Sequence, residues 1–197
     1  MSAEQIQSFI RPEEYLAIER AADFKSEYIS GEMVAMSGAS VRHETIVVNL
    51  TSLLHNALRG KPCKPYGGSL RVRVRSTSYL YPDLTVVCGE PQLLDDSFND
   101  TLLNPTVVFE ILSESTESKD RGIKWRLYQQ IESLKHYVII DQKTARVEIH
   151  TRHNDVDWLE HAESGMGGTF SLPAIGVTIA LSDLYEDVAV EPDPAGL

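Results

Sequence analysis

The chain has 197 residues, 42% of them apolar and 24% charged, with a formal net charge of −11. That length suits one domain with a sizeable core, and no apolar run of about 18 residues offers a membrane span. The acidic balance counts against tight, unaided binding to nucleic acid, whose affinity comes largely from Lys and Arg neutralising phosphates.

In chain order, Met1-Ser2-Ala3-Glu4-Gln5 lacks the basic and apolar stretches of a secretory signal, which points to the cytoplasm. Arg11-Pro12-Glu13-Glu14 reads as a helix start, with proline in the first turn and acids near the positive end of the helix dipole. Glu27-Tyr28-Ile29 and Met33-Val34-Ala35-Met36 flank Ser30-Gly31-Glu32, a hairpin signal. Ser40 is placed to cap a helix running to about Leu58, with Val47, Leu50, Leu54, Ala57 and Leu58 at helical spacing. Cys63 and Cys88 make neither a disulfide framework nor a zinc site, and both are expected to stay reduced as small apolar fillers.

Leu70, Val72 and Val74 alternate with Arg71, Arg73 and Arg75, a period-two strand with three guanidinium groups on one face. Such a run is either a solvated face or a phosphate track. Residues 79–88 read as a second strand region, whose Pro82 marks an edge or a strand start. Residues 89–104 are polar and acidic, hence a loop. Thr106 to Leu112 is a continuous apolar run holding Glu110, as expected of a strand buried on both faces. Ser118 or Asp120 opens a helix to about Ile131, with Ile123, Leu127, Ile131 and Leu134 as its apolar stripe. A hairpin follows, Tyr137–Asp141 with Arg146–His150, then weak strands near Phe170 and Val177–Ile179 and a short helix capped by Ser182. An acidic tail from about residue 187, with Asp187, Glu191 and Asp193 following Glu186, is expected to fray. The order predicts one α/β or α+β domain over residues 1–197, built on a mixed sheet.

Glu110 is the sharpest residue, because an ionised carboxylate inside an apolar strand is costly without a partner. Asp83 stands at the mouth of the preceding strand. Hydrolysis of a phosphodiester needs a divalent cation, a positioned water and compensation for charge on the phosphate. Two carboxylates on neighbouring strands offer a hard cation such as Mg²⁺ its oxygen ligands. Lys124 lies four residues after Asp120 and four before Tyr128, so spacing alone favours an ordinary Asp120–Lys124 surface pair. His43, in the first turn of its helix, reads as a buried histidine, and Glu32 as a solvated turn acid.

Several segments taken together resemble a known family. They are Glu27-Tyr28-Ile29-Ser30-Gly31-Glu32, His43 at a helix start, Tyr81-Pro82-Asp83-Leu84, Val108 to Thr116, Lys119 to Lys124 with Tyr128, and His136 to Asp141. Over about Pro12 to Asp183 the chain resembles the Uma-type restriction endonuclease family of the PD-(D/E)XK nuclease superfamily. The resemblance implies a restriction-endonuclease-like fold, a central mixed sheet flanked by helices, with Asp83 and Glu110 as metal ligands. Leu112 stands where the superfamily pattern has lysine, which sends that role to Lys124 on the following helix. Glu114 stands where many relatives have proline. Supporting roles fall to His43, Glu32 and Tyr128.

The expected function is metal-dependent cleavage of DNA with Mg²⁺ or Mn²⁺, RNA being the other nucleic-acid substrate. Asp83, Glu110 and Lys124 would carry the reaction, with Arg71, Arg73 and Arg75 on the substrate backbone and a homodimer as the working unit. The alternative is a non-catalytic nucleic-acid-binding or interaction module on the same scaffold.

Overall fold

The computed structural model describes residues 9–192. Helix α1 (Pro12–Ala21) starts with proline in its first turn, and leads to the hairpin of β1 (Ser26–Ile29) and β2 (Glu32–Ala35). Ser30 and Gly31 both take positive φ, 49° and 99°, in the two-residue turn that matches strand twist. Helix α2 (Val41–Leu58) is capped by Ser40, whose hydroxyl accepts from His43 N at 3.1 Å. Then come β3 (Cys63–Gly67), β4 (Arg71–Val74), β5 (Ser78–Leu80), β6 (Leu84–Cys88), the short β7 (Thr101–Leu102) and β8 (Val107–Leu112).

The segment read as one helix after β8 is three pieces, α3 (Glu117–Lys119), a π-turn over Asp120–Lys124 and α4 (Trp125–Tyr128). The chain closes with β9 (His136–Asp141), β10 (Arg146–Arg152), β11 (Trp158–Ser164), β12 (Thr169–Leu172), a 3₁₀ turn over Pro173–Ile175, β13 (Val177–Ala180) and α5 (Leu181–Leu184).

The strands form three sheets, ordered β2-β1-β5-β4-β7, β11-β10-β9-β8-β6-β3 and β12-β13. Within the six-stranded sheet β8 and β9 run parallel while β6 and β8 are antiparallel, so the expected mixed α+β architecture is present. One face of that sheet packs Leu84, Phe109, Ile111 and Val138 against Ile46, Leu50 and Leu54 of α2 and against β12, β13 and α5. The other packs Val87, Val108, Leu112 and Tyr137 against Val72 and Leu80 of the five-stranded sheet and Tyr128 of α4. Strand alternation therefore puts Glu110 on the second face, between Val108 and Leu112.

Three features differ from the sequence reading. Residues 79–88 split at Pro82-Asp83 into β5 and β6, which belong to different sheets. Ile131 and Leu134 of the apolar stripe are buried as expected, but Ile123 is 42% exposed, and over residues 117–128 the buried residues are Asp120, Lys124 and Tyr128. Cys63 and Cys88 are joined in a disulfide, which corrects the expectation of two reduced thiols. The β3–β6 register sets the two residues opposite each other, a juxtaposition invisible in a separation of 25 residues. Thiol titration of denatured protein without reductant is expected to find no free cysteine, and two titrated thiols would contradict the bridge.

The chain beyond α5 also folds back. Val188 is buried, Glu191 N donates to Lys143 O at 2.7 Å and Arg42 pairs with Glu191, so the stretch through Glu191 is docked, while Asp193 lies outside the described residues. No helix among the described residues is long and apolar enough to cross a membrane.

One buried histidine ties the small sheet to the large one. His136 Nδ1 is 3.0 Å from the Thr151 hydroxyl, and Nε2 accepts from Ala174 N at 3.2 Å. Burial lowers its pKa to about 4 from an ordinary 6.5. The neutral ring is thus favoured by the fold. Its contribution is complete above the unfolded pKa of 6.5 and is lost as pH falls from there to about 4, a loss of about 3 kcal/mol. Urea unfolding at about pH 7 and about pH 4 is expected to show a smaller acid destabilisation in His136→Gln than in the parent protein. An equal acid loss in both would contradict this assignment.

Candidate active site

A cavity of about 600 Å³ opens where the five-stranded and six-stranded sheets meet. Its floor is made by Asp83, Glu110, Lys124, Glu27 and Asp120, and its lips by residues 34–39 and by Ser113, Ser115, Thr116 and Lys119. Continuing the β6–β8 register by one residue sets Asp83 beside Glu110 on the same face, and Asp83 Oδ2 accepts from Ile111 N at 2.7 Å. The proline at 82 ends the pairing of β5, so the next side chain turns into the space between sheets.

Lys124 is the hub. Its Nζ lies 3.0 Å from Glu27 Oε1, 3.1 Å from Glu110 Oε1 and 3.1 Å from Asp120 Oδ1, and the residue is 5% exposed. The surface pair suggested by spacing is therefore a buried one. Three contacts fix the helix that carries it: Tyr137 OH donates to Asp120 O at 3.0 Å, Trp125 stacks on Tyr137 at 5.3 Å, and Arg121 pairs with Glu148 of β10. The π-turn widens the backbone where Asp120 and Lys124 enter the site, a distortion frequent at functional positions.

Burial is the first cause that raises the Glu110 carboxyl well above the usual range, and the charges of Asp120, Asp83 and Glu27 push the same way against the pull of Lys124. Burial alone would lower Lys124, but Glu110, Glu27 and Asp120 outweigh it and hold the ammonium protonated. Tyr128 donates to Glu110 Oε1 at 2.9 Å and is itself held protonated by burial and that carboxylate. His43 Nε2 is 3.2 Å from Asp83 Oδ1. Burial opposes a charge on His43, yet Asp83 outweighs it and raises its pKa. No hydrogen bond is directed at two buried atoms of the site, His43 Nδ1 and Asp120 Oδ1, although Lys124 faces the latter as a charge.

Asp83, Glu110 and Lys124 thus converge, with Tyr128 and His43 touching them. Glu32 does not join them, being exposed on β2 outside the cavity lining. Nor do the arginines of β4. Arg71 is buried and paired with Asp100, which Arg20 also holds at 2.8 Å. Arg73 borders a separate groove beside α1, and Arg75 sits exposed in the β4–β5 turn at φ 52°. The phosphate track read from their alternation is not formed along the cavity. Sequence reasoning missed Glu27 as a partner of Lys124 and placed the Asp120–Lys124 pair on the surface rather than in the cavity. For Asp120 the four-residue spacing was the available signal, and for Glu27 an acid inside a short strand.

The fold and cavity define a mixed α+β protein with a buried acid–lysine centre at the junction of its sheets. The chain belongs to the Uma2 family: residues 12–182 match the family described as "Putative restriction endonuclease". It is 33% identical over 181 residues to uncharacterized protein slr1290 of Synechocystis sp. (strain ATCC 27184 / PCC 6803 / Kazusa), covering 91% of this chain and 93% of that protein. Uncharacterized protein sll1609 of the same strain is 35% identical over 147 residues, 74% of this chain and 82% of that one. The crystal structure of a "putative nuclease belonging to DUF820" from Anabaena variabilis ATCC 29413 shares the fold. Its TM-score is 0.72 at 16% identity, covering 89% of this chain and 97% of the other.

Proposed function

We propose that this protein is a metal-dependent endonuclease hydrolysing phosphodiester bonds in DNA. The observation that carries the reading is the convergence of Asp83, Glu110 and Lys124 in one cavity, with Lys124 Nζ 3.1 Å from Glu110 Oε1. The description of the family and the name of the Anabaena structure support the same class of reaction.

The donor chemistry fits a hard divalent cation. The floor crowds Asp83, Glu110, Glu27 and Asp120 around Lys124, with His43 beside Asp83, and burial together with the neighbouring acids pushes the Glu110 carboxyl up, a repulsion that a cation would relieve. No three His, Cys, Asp or Glu side chains among the described residues are gathered as a ligand set. Asp83 and Glu110 would therefore hold the ion with water completing its shell, as suits Mg²⁺ or Mn²⁺. When bound, such an ion polarises the phosphate and acidifies a water. Tyr128 fixes the Glu110 carboxylate and His43 the Asp83 carboxylate. Lys124 presents a fixed positive charge to the phosphate as negative charge grows on it. Two copies related by a two-fold axis would offer one cavity to each DNA strand.

A second reading is a nuclease-like scaffold that binds without cutting. It is favoured by the enclosure of Lys124 by three carboxylates, which leaves its charge locally spent. Titration calorimetry with Mn²⁺ separates the two. The nuclease reading expects saturable binding that Asp83→Asn and Glu110→Gln each weaken at least about tenfold, as loss of a charged ligand costs more than about 1.4 kcal/mol. Binding absent, or unchanged in both variants, would favour the scaffold.

A further inference from the structure

Beside the acid cavity lies a second hollow of about 460 Å³, an apolar groove lined by Tyr66, Leu70, Pro91 and Leu93 with Asn99 at its edge. Gly68 and Ser69 line both the groove and the cavity, so one stretch of backbone separates them. That wall is thin because residue 68 is glycine: a Cβ there would meet Asp83 O at 3.2 Å and Pro82 O at 3.3 Å. The loop is thereby pressed against the strand break that aims Asp83. On the same wall stands one exposed cation, Lys25, which donates to Ser69 Oγ at 2.9 Å and Gly68 O at 3.2 Å.

The sequence of surfaces is thus acid floor, single lysine, apolar groove. It matches the order of groups along an unpaired nucleotide, with a phosphodiester, a sugar and a flat apolar base. The reactive groups also lie too deep for an intact duplex. Glu110 is 3% exposed, and the lips approach each other at Ser37 and Ser115, whose hydroxyls are 3.3 Å apart. A stacked, paired base must first unpair and unstack to fill the groove, at a cost of about a few kcal/mol, whereas an unpaired base can stack on an aromatic ring without that cost.

We propose that this groove is a nucleobase subsite: the base flanking the scissile phosphate packs against Tyr66 while Lys25 contacts the backbone, so the substrate is an unpaired strand. The proposal rests on the reading of the cavity as a phosphodiester site. Asn99 brings an amide donor and acceptor to the exposed edge of the groove, where the rim of a base would lie.

Fluorescence anisotropy of a labelled oligothymidylate of about 12 nucleotides tests it, measured in EDTA and in Ca²⁺. Tyr66→Ala is expected to weaken binding about tenfold, the range of one lost base–aromatic stack. Tyr66→Phe should bind as the parent does. An abasic strand should bind the parent no better than the oligothymidylate binds Tyr66→Ala, and a duplex of equal length should bind more weakly than the single strand. Because Tyr66 sits in β3, Asn99→Asp provides a surface variant that keeps the left-handed φ of 54° and sets a carboxylate at the groove edge, with binding expected to fall several-fold. Equal binding of the oligothymidylate by parent, Tyr66→Ala and Asn99→Asp, or none by the parent, would overturn the proposal. Plasmid cleavage that is insensitive to Tyr66 alongside such equal binding would leave the cavity reading standing without the groove. Tyr66-dependent binding without any cleavage would leave the groove standing without the nuclease.

Discussion

Lys124→Ala is expected to lose cleavage by about 100-fold or more and to lose about 3–5 kcal/mol of stability. The two losses have separate causes. Stability falls because Glu27, Glu110 and Asp120 all face Lys124 Nζ within 3.1 Å, and removing the ammonium leaves three buried acids facing one another. Activity falls because the one buried cation beside the Glu110 carboxylate is gone. A double variant, Lys124→Met with Glu110→Gln, tells them apart. It replaces a charged pair by neutral groups of similar volume and should recover much of the stability while remaining inactive. Chemical denaturation and a cleavage assay on the same preparations provide both readings. Stability unchanged in Lys124→Ala would contradict the buried cluster.

Glu110→Gln is the complementary case, with a large effect on activity and a small one on folding. Burial and the neighbouring acids already push the Glu110 carboxyl up, so a neutral amide of the same shape relieves like-charge repulsion while giving up one contact to Lys124. Stability is expected to stay within about 1 kcal/mol of the parent. Cleavage is expected to fall at least about 100-fold, because an amide cannot supply the anionic oxygen that a hard cation selects. Asp83→Asn should behave alike in activity. Asp83→Ala should also cost stability, since Ile111 N loses its acceptor and His43 its partner. A Glu110→Gln protein that cuts as well as the parent would remove the carboxylate from the mechanism.

Local patterns carried much of this fold in the sequence. Proline at residue 12, the Ser30-Gly31 turn and the Ser40 cap each act through their own backbone, so each could be read from a few neighbouring letters. The residues misread depend on partners far along the chain. Arg71 alternates like a surface arginine but is buried against Asp100, 29 residues away. Cys63 meets Cys88 only through strand register. The helix over 117–128 buries its polar residues because Glu27 and Glu110 wait on two other strands, and its apolar Ile123 is left outside as a consequence. Spacing can propose that Asp120 pairs with Lys124, but only tertiary packing decides whether that pair faces water or a cavity. Asp83 and Glu110 were legible because a carboxylate at the break or in the middle of an apolar strand conflicts with its surroundings, and such conflicts gather at functional sites.

Cleavage of supercoiled plasmid DNA, whose negative supercoiling opens unpaired stretches, in Mg²⁺ or Mn²⁺ with EDTA as control tests the central claim most directly. The parent protein should nick or linearise the plasmid only with the metal present, and Asp83→Ala, Glu110→Ala and Lys124→Ala should each leave it intact. Cleavage that persists in EDTA, or that survives all three substitutions, would contradict the account.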